Sequence, residues 1–358
     1  MVVDDSAVVR GLITRILESE SAIKVVASVS NGEQAVKTIG RHAVDVVILD
    51  IEMPVMDGLT ALPKILAASP RSKIIMASTL TQKNAEVSMR ALELGATDYI
   101  PKPTSSREIG GASDFKTDLI QKVIALGREV ARQRPSGPRP AAAAARAPAA
   151  LAPGSKETIA LRPISRDVPK ILAIGSSTGG PQALFKVLSG LRPFPLPVVI
   201  TQHMPTTFTA ILAQHITRMT GWEAKEAEEG DAVKAGRVLV APGDFHMVLK
   251  GRDPDVKVTL NQEPPENFCR PSVDPMFRSV AAIYGSRALS VILTGMGRDG
   301  TEGGKVIVGA GGTVVVQDEA TSVVWGMPGA AAQAGICAAV LPLEEIAPKI
   351  QKIARGLR

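Results

Sequence analysis

The sequence predicts two parallel α/β domains joined by a linker. In both halves of the 358-residue chain, short apolar runs alternate with helix-length stretches, as in parallel sheets covered by helices. A stretch rich in proline and alanine separates the halves, including Arg134–Pro140 and the five alanines that follow it. Such a composition buries little apolar surface, so we expect an extended segment there. We therefore predict domains at 1–127 and 169–358, with a basic linker at 128–168.

The apolar runs define the expected strands of each half. The runs of the first half are Val25–Val29, Val44–Leu49, Lys73–Ala77 and Thr97–Ile100. Those of the second half are Lys170–Ile174, Pro197–Thr201, Ala288–Leu293, Thr313–Gln317 and Ile336–Leu341. Turn residues in the second half also predict an antiparallel excursion, made of Arg237–Ala241, Phe245–Lys250 and Val256–Leu260.

The distribution of charge argues against nucleic acid as a partner. The net charge is +6, but residues 127–168 hold eight basic and three acidic side chains, which leaves about one charge for everything else. A basic linker is not a DNA-reading face. We therefore expect no nucleic acid partner.

The sequence also predicts a cytoplasmic protein with no membrane insertion. No run has the apolar length of a membrane span, and Asp4 and Asp5 stand where a secretory leader would be cationic and then apolar. The two cysteines, Cys269 and Cys337, are too few for a disulfide framework or a four-thiolate metal site. We expect both to be reduced, buried thiols.

Polar side chains follow the strands of the first half at the edge where functional groups collect. Asp4 and Asp5 follow one apolar run, Asp50 and Ser78 follow two others, and Lys102 follows the last. Clustered carboxylates suit a divalent cation with oxygen ligands, Mg²⁺ above all. With the metal and the lysine neutralising charge, Asp50 is placed to attack a phosphoryl donor.

These residues resemble the receiver domain of bacterial response regulators over roughly residues 1–127. The matched motifs are Asp4-Asp5, Asp50 with Met53-Pro54 and Asp57-Gly58 after it, Ser78, and Lys102-Pro103. The resemblance implies a flavodoxin-like parallel sheet with Asp50 as the phosphoacceptor and a histidine kinase as the phosphodonor. It also implies that Asp4, Asp5 and Asp50 hold Mg²⁺, that Ser78 senses the phosphoryl group, and that Lys102 pairs with it.

The first strand is shorter than this resemblance implies. Only Met1, Val2 and Val3 precede Asp4. A short strand in the middle of a sheet leaves backbone groups of its neighbours unpaired. We therefore expect the natural start of the protein to lie upstream of Met1.

The second half opens with an apolar strand that runs into a glycine-rich turn, Ile171–Gly180. Read as G-x-S-x-G, this turn places Ser177 at a tight strand-to-helix junction where its hydroxyl is exposed. The backbone N–H groups at the start of the next helix favour anions. A nucleophile beside such donors is suited to acyl transfer, although the same string also fits a turn that only joins a strand to a helix.

A serine nucleophile needs a base, and the chain has four histidines. His203 follows a strand at the same edge of the sheet as Ser177, and we favour it over the other three. His42 belongs to the first half, His215 lies within an expected helix, and His246 lies in the expected hairpin region.

The third member of such a site is a carboxylate that orients the imidazole. Asp299 follows another strand inside a glycine-rich turn, and Asp244 and Asp318 are the alternatives. The chain order Ser, His, Asp differs from that of α/β-hydrolases, so the turn motif does not indicate that fold. The expectation is a second doubly wound, mostly parallel domain with an antiparallel hairpin.

Four segments of the second half resemble the chemotaxis receptor methylesterase (CheB) family, namely Gly175–Pro181, Thr201–Pro205, Arg270–Phe277 and Thr294–Gly300. A receiver joined by a linker to such a domain is also the architecture of that family. The resemblance implies Ser177 as nucleophile, His203 as general base and acid, and Asp299 as the residue that orients it. We expect the backbone N–H groups of Thr178 and Met296 as oxyanion donors.

The same resemblance implies the reaction and its role. The expected substrates are γ-glutamyl methyl esters, and certain glutamines, on the cytoplasmic helices of methyl-accepting chemotaxis receptors, and hydrolysis needs no cofactor. We expect phosphorylation to activate this hydrolase during chemotaxis adaptation, because a switch-type receiver is tethered to an enzyme.

Other functions are less consistent with the sequence. A DNA-binding response regulator would carry a helix-turn-helix module after the linker, whereas about 190 residues of nearly neutral α/β sequence follow it. A nucleotide-binding domain would need the lysine of a Walker loop, which the turn at Ser177 lacks. Thiol catalysis is disfavoured because Cys269 has no histidine near it in the sequence.

Overall fold

The computed structural model describes residues 1–79, 81–102, 113–132 and 159–357. Pro103 and the central part of the expected linker, residues 133–158, lie outside this range. No helix in the described ranges is both long enough and apolar enough to cross a membrane.

The first half forms a five-stranded parallel sheet in the order β2-β1-β3-β4-β5, which confirms the predicted flavodoxin-like class. Strands β1 to β5 are Val2–Val3, Ser28–Val29, Val46–Asp50, Lys73–Ser78 and Asp98–Pro101. The described helices of this half, α1 to α5, are Ala7–Glu18, Gly32–Ile39, Gly58–Ala68, Gln82–Glu93 and Ser113–Arg132.

The Asp57-Gly58 motif has a local structural cause. The carboxylate of Asp57 accepts a 2.7 Å hydrogen bond from the Thr60 N–H and so caps helix α3. A Cβ at Gly58 would lie 2.1 Å from the backbone oxygen of Asp50. Only glycine therefore allows the helix to begin this close to strand β3.

Strand β2, at one edge of this sheet, is shorter than the apolar pattern predicts. Of the expected strand Val25–Val29, only Ser28 and Val29 pair with β1, because β1 itself is only two residues long. The ammonium group of Met1 donates a 2.8 Å hydrogen bond to the Val46 oxygen and is buried.

The second half forms a seven-stranded parallel sheet in the order β14-β13-β12-β6-β7-β9-β8. Its strands are β6 Ile171–Ser176, β7 Val198–Gln202, β8 Glu223–Glu226, β9 Arg237–Val240, β12 Ala288–Ile292, β13 Thr313–Gln317 and β14 Ala339–Leu341. Helices α6 to α11 are Gly180–Leu191, Phe208–Thr220, Val273–Tyr284, Thr301–Gly309, Met327–Gln333 and Leu343–Ala354, and a 3₁₀ turn covers Gly285–Arg287.

The direction of winding reverses between β6 and β12, which lie side by side. From this point β7, β9 and β8 extend to one side, and β13 and β14 extend to the other. Ligands of open α/β sheets bind in the crevice beyond the carboxyl ends of the strands at such a point. Ser177 follows β6 and the turn that carries Asp299 follows β12, so both lie at this crevice.

The expected antiparallel excursion is confirmed in part. Strands β10 (His246–Arg252) and β11 (Asp255–Asn261) pair antiparallel as a separate two-stranded sheet. The prediction for Arg237–Ala241 is wrong, because β9 pairs parallel to β7 and its residues Val238–Val240 are buried in the main sheet. Strand β8 (Glu223–Glu226) has no apolar run and was not predicted; it is the edge strand beside β9.

The chain is helical to Arg132, and from Ile159 it approaches the second sheet. The N–H of Arg162 donates to the Cys337 oxygen at 2.8 Å. The N–H of Ser165 donates to Thr313 Oγ1 at 3.0 Å. Residues 128–132 of the expected linker therefore belong to helix α5, and Arg162 and Ser165 are bonded to residues of the second half.

Candidate active site

The Ser177 turn is held by close contacts that require glycine on both sides. Ser176 Oγ donates to Gln202 Oε1 at 2.7 Å, and Gln202 Nε2 donates to the backbone carbonyl oxygen of Ser177 at 2.9 Å. A Cβ at Gly180 would lie 1.9 Å from Gln202 Oε1, and one at Gly295 would lie 2.7 Å from Ser177 Cβ. The turn is thus clamped between β7 and the loop after β12.

His203 and Asp299 meet as the sequence predicts. Asp299 Oδ2 accepts a 2.7 Å hydrogen bond from His203 Nε2, and the carboxylate is almost completely buried. The backbone N–H groups of Val273 and Asp274, at the start of helix α8, donate to the same carboxylate at 2.6 and 3.1 Å. Ser272 Oγ donates at 2.8 Å. A helix N-terminus favours an anion, so this position stabilises an ionised Asp299.

These donors decide the protonation of Asp299. Burial raises the pKa of Asp299, but the hydrogen bond and positive charge of His203 and the bonds from Val273 and Ser272 outweigh burial and lower the pKa to about 2. The carboxylate is therefore charged at neutral pH, as an orienting group for an imidazolium should be.

A second buried carboxylate, that of Asp274, lies next to Asp299. Asp274 accepts a 2.6 Å hydrogen bond from the Gly303 N–H, and burial together with the charge of Asp299 raises the pKa of Asp274 to about 6. The Asn267 side-chain amide donates to both carboxylates, at 2.9 Å to Asp274 and 3.0 Å to Asp299. Asn267 therefore bridges the two acidic groups and offsets part of their repulsion.

The other ring nitrogen of His203 contacts a residue that the sequence did not connect with it. Cys269 Sγ lies 3.4 Å from His203 Nδ1 and is half-buried, not buried as expected. Cys269 is therefore adjacent to a histidine in space, although His203 is 66 residues away along the chain. The cis peptide bond at Arg270–Pro271 lies in the same loop. Cys337, in contrast, is buried, which raises the pKa of its thiol to about 12.

Both ring nitrogens of His203 have partners other than Ser177 in this arrangement. Burial lowers the pKa of His203, but the contact with the Cys269 sulfur and the hydrogen bond and charge of Asp299 outweigh burial and raise the pKa to about 10. Both ring nitrogens are engaged, and within the described chain no hydrogen bond joins the ring to the Ser177 hydroxyl. Nδ1 therefore has to leave the Cys269 contact before it can reach the Ser177 hydroxyl.

The expected oxyanion donors lie around the same turn. Neither the Thr178 nor the Met296 N–H donates a hydrogen bond to another residue of the described ranges. The side chain of Thr178 points elsewhere, because its hydroxyl donates a 2.9 Å bond to Asp98 Oδ2 of the first domain.

The alternatives to His203 and Asp299 have other partners. His215 is bonded to Glu93 of the first domain at 2.8 Å, and His246 accepts a hydrogen bond from the Ser272 N–H at 3.2 Å. Asp244 pairs with Arg270, and Asp318 accepts hydrogen bonds from Thr321. None of these side chains has a hydrogen bond with Ser177 or His203.

The acidic residues of the first domain also come together. One carboxylate oxygen from each of Asp4, Asp5 and Asp50 lies within 4.8 Å of the others, a spacing that suits a single cation. Lys102 Nζ lies 2.7 Å from Asp4 and 2.6 Å from Asp50. Burial raises the pKa of Asp50 despite this lysine. Ser78 is buried at the same edge, where its backbone carbonyl oxygen accepts a 2.7 Å hydrogen bond from the Lys102 backbone N–H.

Comparisons with known proteins agree with both halves of the chain. Residues 172–350 match the family model described as CheB methylesterase, and residues 1–112 match that of the response regulator receiver domain. The crystal structure of the Thermotoga maritima CheB methylesterase catalytic domain is 43% identical, with a TM-score of 0.51, and the match covers 52% of this chain and 98% of that one.

Relatives are similar over nearly the full length. A protein-glutamate methylesterase/protein-glutamine glutaminase of Paramagnetospirillum magneticum is 60% identical over 99% of this chain and 95% of its own. One from Rhodospirillum rubrum is 56% identical over 99% and 94%. The chain therefore belongs to the CheB methylesterase family, with a response regulator receiver domain preceding its methylesterase domain.

Proposed function

We propose that this chain is a phosphorylation-activated hydrolase that removes methyl groups from γ-glutamyl methyl esters of chemoreceptors and deamidates receptor glutamines. The observation that carries the proposal is the 2.7 Å bond between His203 and a charged, buried Asp299 beside the Ser177 turn. The names of the relatives support the substrate class. Such a role in chemotaxis adaptation places the chain in the cytoplasm.

The proposed chemistry uses Nδ1 of His203, the imidazole nitrogen that does not bind Asp299. Since Asp299 binds Nε2, Nδ1 is the nitrogen left to accept the Ser177 proton, after the Cys269 contact is released. The serine oxygen then attacks the ester carbonyl, and the oxyanion is stabilised by the N–H groups of Thr178 and Met296. The imidazolium returns the proton to the leaving methoxide, which departs as methanol.

Water completes the reaction on the same residues. His203 takes a proton from water, the hydroxide attacks the acyl-enzyme, and Ser177 leaves with the proton that His203 returns. The products are methanol and a glutamate side chain. A glutamine substrate follows the same path with ammonia as the leaving group, so deamidation requires no additional side chain.

Three contacts between the receiver and the Ser177 side of the second domain support a regulatory role for the receiver. The hydroxyl of Thr178 is bonded to Asp98, and Gln182 Nε2, in the first turn of helix α6, donates to the Ala96 oxygen at 2.6 Å. The rings of Tyr99 and Phe208 stack across the same interface with centroids 4.4 Å apart. We propose that this docked receiver limits the reaction, and that phosphorylation of Asp50 shifts the population away from it.

The acidic cluster fits the cation that phosphorylation of a receiver requires. Asp4, Asp5 and Asp50 would hold Mg²⁺, which would offset the charge of the phosphoryl group. Lys102 would pair with that group and Ser78 would contact it, because both lie at the same strand ends as Asp50. A chemotaxis histidine kinase is the proposed phosphodonor.

The test measures methanol released from methylated chemoreceptor membranes by the full chain. We expect release by the parent chain, and a loss of several orders of magnitude in His203→Gln, which lacks the base. The matched control is His42→Gln, an exposed histidine of the first domain. No methanol from the parent, with or without a phosphodonor, would reject the proposed substrate.

A further inference from the structure

An exposed aromatic side chain lies beside the candidate active site. Phe268 is fully exposed, whereas the other six phenylalanines of the chain are buried or partly buried. Aromatic residues make up only 3% of the sequence. Exposing one of these rings to water gives up the free energy of burial, so the position of Phe268 calls for a functional explanation.

The backbone under this ring makes phenylalanine an unfavourable choice. Glu266 and Cys269 exchange hydrogen bonds of 2.9 and 3.2 Å between their N–H and C=O groups. The two residues between them have positive φ, 53° at Asn267 and 63° at Phe268, as in a type I′ turn. Asparagine suits the first position, but glycine is preferred at the second because a side chain there is strained. Folding alone does not account for Phe268.

Both neighbours of Phe268 contact the catalytic pair. Asn267 donates to Asp299, and Cys269 contacts Nδ1 of His203. The turn is fixed further by the ion pair of Glu266 with Arg278 at 2.5 Å. The ring of Phe268 is therefore held between two residues, Asn267 and Cys269, that bind the Asp299 and His203 side chains.

We infer that Phe268 is a substrate-binding residue that packs against apolar side chains of the helical receptor segment carrying the esterified glutamate. The inference rests on the proposed function. A segment that delivers an ester to His203 must pass beside the turn that touches His203 and Asp299. An aromatic ring held in a fixed position binds with little loss of conformational freedom, which is typical of the residues that dominate an interface.

The test compares Phe268→Ala with the parent full chain on two substrates. On methylated receptor membranes we expect KM to rise roughly 10- to 100-fold, the equivalent of burying one phenyl ring, with kcat unchanged. On the small γ-methyl ester of N-acetylglutamate, which has no helix to contact the ring, we expect no change. Phe268→Trp should restore the lower KM.

Two controls separate binding from folding. Phe268→Gly relieves the strained φ, so we expect the melting temperature to stay equal or rise while KM for receptor membranes still increases. Leu161→Ala removes an exposed apolar side chain near Cys337, which precedes the edge strand β14. This control should leave KM unchanged.

The outcomes decide between the inference and the proposed function. An unchanged KM of Phe268→Ala on receptor membranes, or an equal rise on the small ester, overturns the role of the ring. A loss of phosphodonor stimulation at unchanged KM assigns the ring to the receiver interface and also overturns it. Ser177→Ala is measured in parallel: if it retains full activity, the proposed mechanism fails whatever the result for Phe268.

Discussion

Thr178, the residue after the proposed nucleophile, donates its hydroxyl to Asp98 Oδ2 of the receiver at 2.9 Å. Both side chains are buried, and Lys122 Nζ lies 3.1 Å from the same carboxylate. Removing one partner of a buried, charged hydrogen bond is costly because the other partner is left without a hydrogen bond and without water. The amino-terminal end of receiver strand β5 and the Ser177 turn are therefore joined directly.

Removing this bond should activate the unphosphorylated chain. In Thr178→Val and Asp98→Ala a hydrogen bond to a charged group is lost, worth about 1.5–3 kcal/mol, so the docked state should lose roughly 10- to 100-fold in population relative to the undocked one. We expect a matching rise in methanol release without phosphodonor. Because the two residues share one bond, the effect of the double variant should be less than the sum.

The control for these variants is Glu18→Ala, an exposed acid on helix α1. It should leave the unphosphorylated rate at the parent value. If Asp98→Ala is folded by circular dichroism and Thr178→Val is as slow as the parent, the restraint does not act through this bond.

Adding a methyl group at Gly295 should displace the Ser177 turn. Its Cβ would lie 2.4 Å from Met327 Sδ and 2.7 Å from Ser177 Cβ. A shift of about 1 Å in a nucleophile costs about 100-fold in rate, so we expect that loss in kcat for Gly295→Ala. Gly309→Ala is the matched control, since nothing lies within 4 Å of its Cβ and alanine favours a helix. Equal activity of the two variants would contradict the clamp.

The His203–Asp299 pair should make stability depend on pH at both ends of the scale. The pKa of His203 is raised to about 10, so its contribution is complete below its unfolded value near 6.5 and is lost as the pH rises toward 10. The pKa of Asp299 is lowered to about 2, so its contribution is complete above 3.8 and is lost as the pH falls toward 2.

Urea unfolding at several pH values measures this dependence. Between pH 6.5 and 10 the free energy of unfolding of the parent should fall more steeply than that of His203→Gln, which cannot titrate there. Parallel curves for the two proteins would show that His203 does not carry a raised pKa.

Phosphodonor stimulation should require Asp50 and a divalent cation. Acetyl phosphate with Mg²⁺ should raise the methanol rate of the parent, and Asp50→Asn or addition of EDTA should abolish that increase. Glu52→Gln, which alters an exposed acid two residues away that pairs with Lys83, should keep it. Undiminished stimulation of Asp50→Asn would place the phosphoacceptor elsewhere.

Much of the fold was predictable because it depends on local pattern. Strands such as Thr313–Gln317 and Lys73–Ser78 are apolar runs buried on both faces, and their lengths agree with the sequence to within a residue. Strand β8 was missed because Glu223–Glu226 lies at the sheet edge and needs no apolar side chains. Strand β9 was assigned to the wrong partner because an apolar run does not reveal its neighbour.

The contact between His203 and Asp299 was likewise predictable, since both follow parallel strands at one edge of the sheet. The approach of Cys269 to His203 was not, because it depends on a loop whose path is fixed by the type I′ turn and tertiary hydrogen bonds. Nor did the sequence indicate Asp98 and Asn267, whose roles depend on contacts across 80 and 32 residues of chain. The roles of Ser177, Thr178 and Met296 in the reaction stay predictions.

The central claim is that Ser177, and not the thiol that touches His203, attacks the substrate. The direct measurement is methanol release from methylated receptor membranes by Ser177→Ala and Cys269→Ala in parallel, each with phosphodonor. The account predicts a loss of roughly 10⁴-fold or more for Ser177→Ala and a rate near that of the parent for Cys269→Ala. An active Ser177→Ala beside an inactive, folded Cys269→Ala would contradict it.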